Sequence, residues 1–241
     1  MDMPIEMQHQ AMGYDRTATM FSPDGHLLQV EYAEKMVRLG SNTIGLVCKD
    51  GIVFTADKRI KDRLFSSESI SKIHEVDDHI LASTAGMLSD ARILIERAQL
   101  ISQQHRVTYD TEIEVESVVR EIANIKQYFT QFGGVRPFGV FIMVGGITNN
   151  IPKLYVSDVT GNYSSFKASA IGENDEKIKE VLRKDYHEDI TADEAVKLCL
   201  KIFKEILGKN FDISRFEVGY IKLGDKKMTK LYEDSLKKYV K

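Results

Sequence analysis

Cysteine is scarce in this chain of 241 residues: Cys48 and Cys199 are the only two, far apart in sequence. They match no metal-ligand spacing, and such sparing use suits a reducing compartment. Long hydrophobic runs are also missing, since a membrane helix needs about 20 consecutive apolar residues. The opening MDMPIEMQHQAMGYDR lacks the basic-then-apolar order of a secretory signal. Nor is there a large charge of one sign: 33 Lys and Arg stand against 36 Asp and Glu, a formal net charge of −3. That balance argues against a nucleic-acid or anionic-membrane surface. The expectation is a soluble cytoplasmic protein with neither nucleic acid nor membrane as partner.

Several chemical signatures are absent too. There is no Walker A loop and no dinucleotide glycine pattern, so no phosphate-bearing cofactor is expected. The nucleophile elbow of α/β hydrolases is missing. His74 and His79 bracket HEVDDH, but their spacing is neither i,i+2 on a strand nor i,i+4 on a helix. They read as solvated strand ends around an acidic turn, and no metal is expected.

What is present describes a folded protein. Hydrophobic residues make up 43% and charged residues 29%, enough for a sizeable core and too apolar for disorder. Residues 1 to 12 carry no period and read as a loose arm. Ser22-Pro23-Asp24-Gly25 is turn chemistry. HLLQVEYAEKMVRLG then places Val30, Ala33 and Val37 on one helical face with Met36 beside them, and Gly40 reads as the helix stop.

Two β-branched runs flank Lys49-Asp50-Gly51, a hairpin signal. ISKIHEVDDHILASTAG repeats it with Asp77-Asp78 as the turn. Leu88, Ala91, Ile95 and Ala98 stripe one helix, and Val115, Val118, Ile122 and Ile125 another. PFGVFIMVGGI is an apolar strand covered on both faces. PKLYVSD and NYSSFKASAIG follow as strands around Thr160-Gly161. Two helices come next, the second opened by a Thr191…Glu194 capping box. FEVGYIKL reads as the last strand, before a lysine-rich end. Strands and helices segregate, so the class expected is α+β with stacked layers, in one domain without linker or repeat.

The stretch LGSNTIGLVCKDG, Leu39 to Gly51, holds the remaining catalytic candidate. If Gly40-Ser41 were cut, Ser41 would become an N-terminal nucleophile whose α-amine could act as base. Asp57 and Lys72 lie downstream to set charge. Alternatively, Ser41 merely starts a strand after a glycine. The residues alone leave both readings open.

Gly13-Tyr14-Asp15-Arg16, FSPDGHLLQVEYA, ADKR, SISKI, SDARIL and GGVRPFG closely resemble the α-subunits of 20S proteasomes, the archaeal type in particular. The resemblance runs from about residue 13 to the last strand. It implies a four-layer αββα sandwich of the N-terminal-nucleophile hydrolase type: a gating arm over 1 to 12, a helix over 24 to 39 and the sandwich over 41 to 241. It also implies a seven-membered ring of identical or homologous α-subunits stacked on β-subunits. In that family the β-subunits carry catalysis and the α-subunits keep the segment before Ser41, so no catalytic residue is expected here.

The retained segment then becomes the working part, closing a pore through which unfolded polypeptide passes. By resemblance Tyr14, Asp15, Arg16, Pro23 and Tyr32 belong to the gate. Lys72, Gly25, Leu27 and Glu31 match a pocket between adjacent α-subunits that captures the C-terminal carboxylate of an AAA+ ATPase activator. Phe132, Gly133 and Gly134 match the pore constriction, where the family usually has Tyr-Gly-Gly. Phenylalanine keeps the aromatic ring and removes the hydroxyl. Glu34-Lys35 replaces the family's Arg-Glu, and IGENDEK replaces a glycine-serine turn.

Overall fold

The computed structural model describes residues 12–59, 64 and 71–240. Apart from Met12, the arm expected over residues 1 to 12 lies outside them. Helix α1 spans Leu28–Val37, shorter at both ends than the 24 to 39 anticipated. Ser22 to His26 instead form a turn, with the Gly25 amide donating to the Ser22 carbonyl at 2.9 Å. Two hairpin strands follow, β1 (Thr43–Cys48) and β2 (Gly51–Asp57), then β3 (Ile73–Asp77) and β4 (Ile80–Gly86). Helices α2 (Leu88–Tyr109) and α3 (Val115–Gln131) lead to β5 (Val140–Thr148), β6 (Ile151–Ser157), β7 (Tyr163–Phe166) and β8 (Ala168–Ile171). Helices α4 (Asp175–Asp185) and α5 (Ala192–Leu207), strands β9 (Phe216–Lys222) and β10 (Met228–Leu231) and the short α6 (Glu233–Leu236) complete the chain.

The strands form two antiparallel five-stranded sheets, ordered β10-β9-β2-β1-β8 and β3-β4-β5-β6-β7. Period-2 alternation divides each strand between two cores. On β2, Val53 faces the α4/α5 layer, while Ile52, Phe54 and Ala56 face the other sheet. On β5, Val140, Ile142 and Val144 face α2 and α3, and Met143 and Ile147 face inward. The result is the four-layer αββα sandwich expected from the sequence.

Several local readings are corrected. NYSSFKASAIG is two strands in different sheets: β7 pairs with β6 and β8 pairs with β1, and the chain crosses the sandwich at Lys167. FEVGYIKL is not the last strand, because β10 pairs antiparallel with it. The β3–β4 turn is Asp78-His79, since Asp77 pairs with Ile80. His79 is therefore buried rather than solvated, with Nε2–H donating to the Ile113 carbonyl at 2.8 Å. The helical stripes also narrow: Leu88, the first residue of its helix, is 67% exposed. Gly40 does not stop α1 through a left-handed cap. A Cβ there would lie 2.4 Å from the Gly86 amide nitrogen, so close approach to β4 demands glycine.

Candidate functional site

The segment ahead of Ser41 is built into the sandwich. Val30, Ala33 and Val37 of α1, the face read from sequence, join Ile52, Phe54, Leu81 and Met143 in the core between the two sheets. Before α1, Tyr14–Arg16 makes one helical turn, closed by the Arg16 amide on the Gly13 carbonyl at 3.1 Å. The Gln29 side chain donates to the Asp15 carbonyl and ties that turn to α1. Tyr14, Asp15 and Tyr32 are half-buried, whereas Arg16, Pro23 and Gly25 are exposed. The Lys35 ammonium lies over the Tyr32 ring, 5.5 Å from its centre. Glu31 pairs with His26 at 2.5 Å, and Leu27 packs against the inter-sheet core.

Ser41 sits where α1 hands over to β1, and Lys72 reaches it. The ammonium donates to the Ser41 carbonyl at 2.6 Å and to its Oγ at 2.8 Å. Lys72 is only 5% exposed, and burial draws its amine down to about 7 against the opposing pull of Asp57 and Glu217. Asp57, fully buried, does not bond Lys72. Its carboxylate accepts from Arg215 Nε at 3.1 Å, Arg215 Nη2 at 2.6 Å and the Arg59 amide at 2.9 Å. Glu217 accepts from the Lys72 and Ile73 backbone amides.

The structure thus joins Ser41 to Lys72 and gives Asp57 to Arg215. Arg215 and Glu217 were missed by the sequence reading. The available signal was a glutamate inside the apolar run FEVGYI, because a buried charge requires donors. No hydrogen bond or ion pair among the described residues links Lys72 to Gly25, Leu27 or Glu31.

The third region follows α3. Phe132, 47% exposed, stacks on Tyr128 with ring centres 3.8 Å apart. Gly133 and Gly134 have no atom within 4 Å of where a Cβ would stand, so they are open to solvent. Beyond them Arg136 forks onto Asp90 of α2 with two contacts of 2.7 Å, and the Gly139 amide donates to the same carboxylate at 2.9 Å. Burial alone would push the Asp90 carboxyl up. The Arg136 and Gly139 hydrogen bonds outweigh it and hold that carboxyl below the usual range. Both residues stand in sequence motifs that had carried a resemblance without a role. The other two departures, Glu34-Lys35 and IGENDEK, also find partners, Lys35 over Tyr32 and Glu173 in an ion pair with Arg59. Among the described residues, no helix is long and apolar enough to cross a membrane.

The proteasome subunit family matches residues 37–221, and the N-terminal signature of proteasome A-type subunits matches residues 14–35. A proteasome subunit alpha of Methanosarcina barkeri is 43% identical over 229 residues, covering 95% of this chain and 92% of its own. That of Archaeoglobus fulgidus is 42% identical over 234 residues, covering 95% and 93%. The Methanosarcina mazei protein is 44% identical over 230 residues, covering 95% and 92%. With helix α1 seated between the sheets and these likenesses running nearly end to end, the chain belongs to the proteasome subunit family and bears the signature of its α-type members.

Proposed function

We propose that this chain is a non-catalytic protomer of the outer α-ring of a 20S proteasome, working in the cytoplasm. It assembles in sevens on β-subunits that do the proteolysis, gates the passage of unfolded polypeptide and docks the C-terminal tails of an ATPase activator. The observation that carries this reading is α1. A self-processing hydrolase would discard everything before Ser41, but here Leu28, Val30 and Val37 are buried. Each is worth roughly 1.5–3 kcal/mol, so their loss rivals the entire net stability of an ordinary domain, about 5–15 kcal/mol. With that segment retained, the Ser41 nitrogen stays in a peptide bond and is no base at neutral pH.

The gate reading draws on the Ser22–His26 turn, anchored by the buried Ser22 and exposed from Pro23 to His26. The docking reading draws on Lys72, a cation for a tail carboxylate. Deleting residues 2 to 12 from the assembled particle is expected to speed small-peptide hydrolysis, and an unchanged rate would count against gating. Lys72→Ala is expected to abolish stimulation by activator tails while rings still form.

One observation favours a second reading, hydrolysis by Ser41: the Lys72 amine lies 2.8 Å from its hydroxyl. Native mass spectrometry separates the two. Full-length protomers in seven-membered rings support the gate, whereas protomers shortened by their first 40 residues would hand the function to Ser41.

A further inference from the structure

We infer that the Asp90–Arg136 pair positions the pore segment, fixing where Phe132 stands and so what width of polypeptide the ring admits. The inference rests on the proposal that Phe132, Gly133 and Gly134 line the pore. These residues cannot hold themselves in place: two lack side chains, and all three are exposed. Gly134 adopts a φ of +83°, a left-handed turn that only reverses the chain. Position must therefore come from the two ends of the segment.

The upstream end is α3, on which Phe132 lies by stacking against Tyr128. The downstream end is Arg136. Its guanidinium grips Asp90 with both nitrogens, donates to the Pro137 carbonyl at 3.0 Å and touches Met87 Sδ at 3.3 Å. A planar fork on a carboxylate fixes direction as well as distance, which a point charge does not.

The two partners are unequal. The Asp90 side chain is 8% exposed and the Arg136 side chain 56%. Asp90 sits in the first turn of α2, where the helix N-terminus favours a carboxylate. It also accepts from the Gly139 amide, while the Met87 amide donates to the Gly139 carbonyl at 2.9 Å. The acid is thus part of the frame, and the arginine is the arm that reaches out to the glycines. Without that arm, the freely moving stretch would extend from Phe132 to the buried Pro137.

The chain has no tryptophan, so Phe132→Trp supplies a single indole reporter at the constriction. In that background Arg136→Gln is expected to raise acrylamide quenching by about twofold, as a half-exposed ring loses its remaining cover. Arg136→Lys should restore part of the protection. Asp90→Asn, which keeps an acceptor for Gly139 but releases the fork, should match Arg136→Gln and guards against a variant that fails to fold. Unchanged quenching in both would overturn the inference.

In particles assembled with β-subunits, Arg136→Gln should increase degradation of an unfolded protein relative to a short fluorogenic peptide. An unchanged ratio would also overturn it, if Phe132→Ala shifts that ratio. If Phe132→Ala leaves the ratio unmoved while Arg136→Gln still raises quenching, the pore reading itself has failed and the inference falls with it.

Discussion

Two regions of this molecule hold their polar groups in opposite ways. Around Ser41 the charges close on one another: Lys72 on Ser41, Arg215 on Asp57, and Glu217 on two backbone amides. The Phe132–Gly134 segment faces outward into solvent, and the Ser22–His26 turn exposes Pro23 to His26 while keeping Ser22 buried. The first region has the residue types of a hydrolase, turned mostly on one another. The second carries Ser22, Asp24 and His26 of its own, but spread along one turn, with His26 paired to Glu31 at the surface. In a fold shared by enzymes and non-enzymes, function has to be argued from such sites and not from the fold.

That contrast breaks most visibly at Asp57. Asp57→Ala would leave Arg215 without its buried acceptor and Lys72 with Glu217 as its remaining nearby negative charge. Breaking a buried, hydrogen-bonded pair of this kind costs about 3–5 kcal/mol. A matching drop in urea midpoint is expected, with no gain or loss of peptidase activity in the isolated chain. A midpoint within experimental error of wild type would show that the closed cluster is not a structural knot.

A second test uses protons. Burial draws the amines of Lys72 and Lys126 down to about 7 from an ordinary value of 10.5. Lys126 is fully buried on α3, donating to the Ser157 carbonyl at 3.1 Å and Oγ at 3.4 Å. Above pH 7 the folded chain has released protons that the unfolded chain keeps until 10.5. The unfolded state therefore binds more protons in that window, and stability rises with pH. Each lysine contributes up to about 1.4 kcal/mol per pH unit.

Lys126→Met should remove about half of this slope in denaturation series from about pH 7 to 8.5, a range below the ordinary titration of the two cysteines. An unaltered slope would mean that Lys126 keeps its proton in the fold.

The legible and illegible parts of the sequence divide along the same physical line. The α1 face, the Lys49-Asp50-Gly51 hairpin and the Thr191–Glu194 capping box are local, and their periods and turn residues place them correctly. The crossing at Lys167 is not local: neither YSSF nor ASAI carries a mark saying which sheet it joins. His79 reads as polar, and only the Ile113 carbonyl arriving from the chain beyond α2 makes its burial tolerable. Ser41, Asp57 and Lys72 were all named from sequence. Their division into two pairs depends on Arg215, which comes from far along the chain. Gly40 was read as a helix stop because glycine usually plays that part, whereas here another strand's backbone demands it.

On the outward side the effects on stability should be small and those on function large. Gly25 holds a φ of +82° with open space around it. Gly25→Ala therefore meets only the left-handed backbone penalty, about 1–2 kcal/mol. Thermal unfolding should register that loss. If Gly25 belongs to the docking surface, activator stimulation should fall by more than the change in ring yield accounts for.

Phe132 sharpens the contrast furthest. Its ring stacks on Tyr128, but both rings are about half exposed, so truncation removes contacts that water can replace. Phe132→Ala is expected to shift stability by no more than about 0.5 kcal/mol, the usual range for surface positions. Phe132→Tyr should shift it no further, because the added hydroxyl meets solvent. If the segment narrows the pore, the alanine variant should still admit unfolded protein faster in the assembled particle, and the tyrosine variant should match wild type. A large fall in stability from Phe132→Ala would move this residue to the closed side of the comparison. A tyrosine variant that differs from wild type in protein degradation would show that the missing hydroxyl, rather than the width of the ring, governs passage.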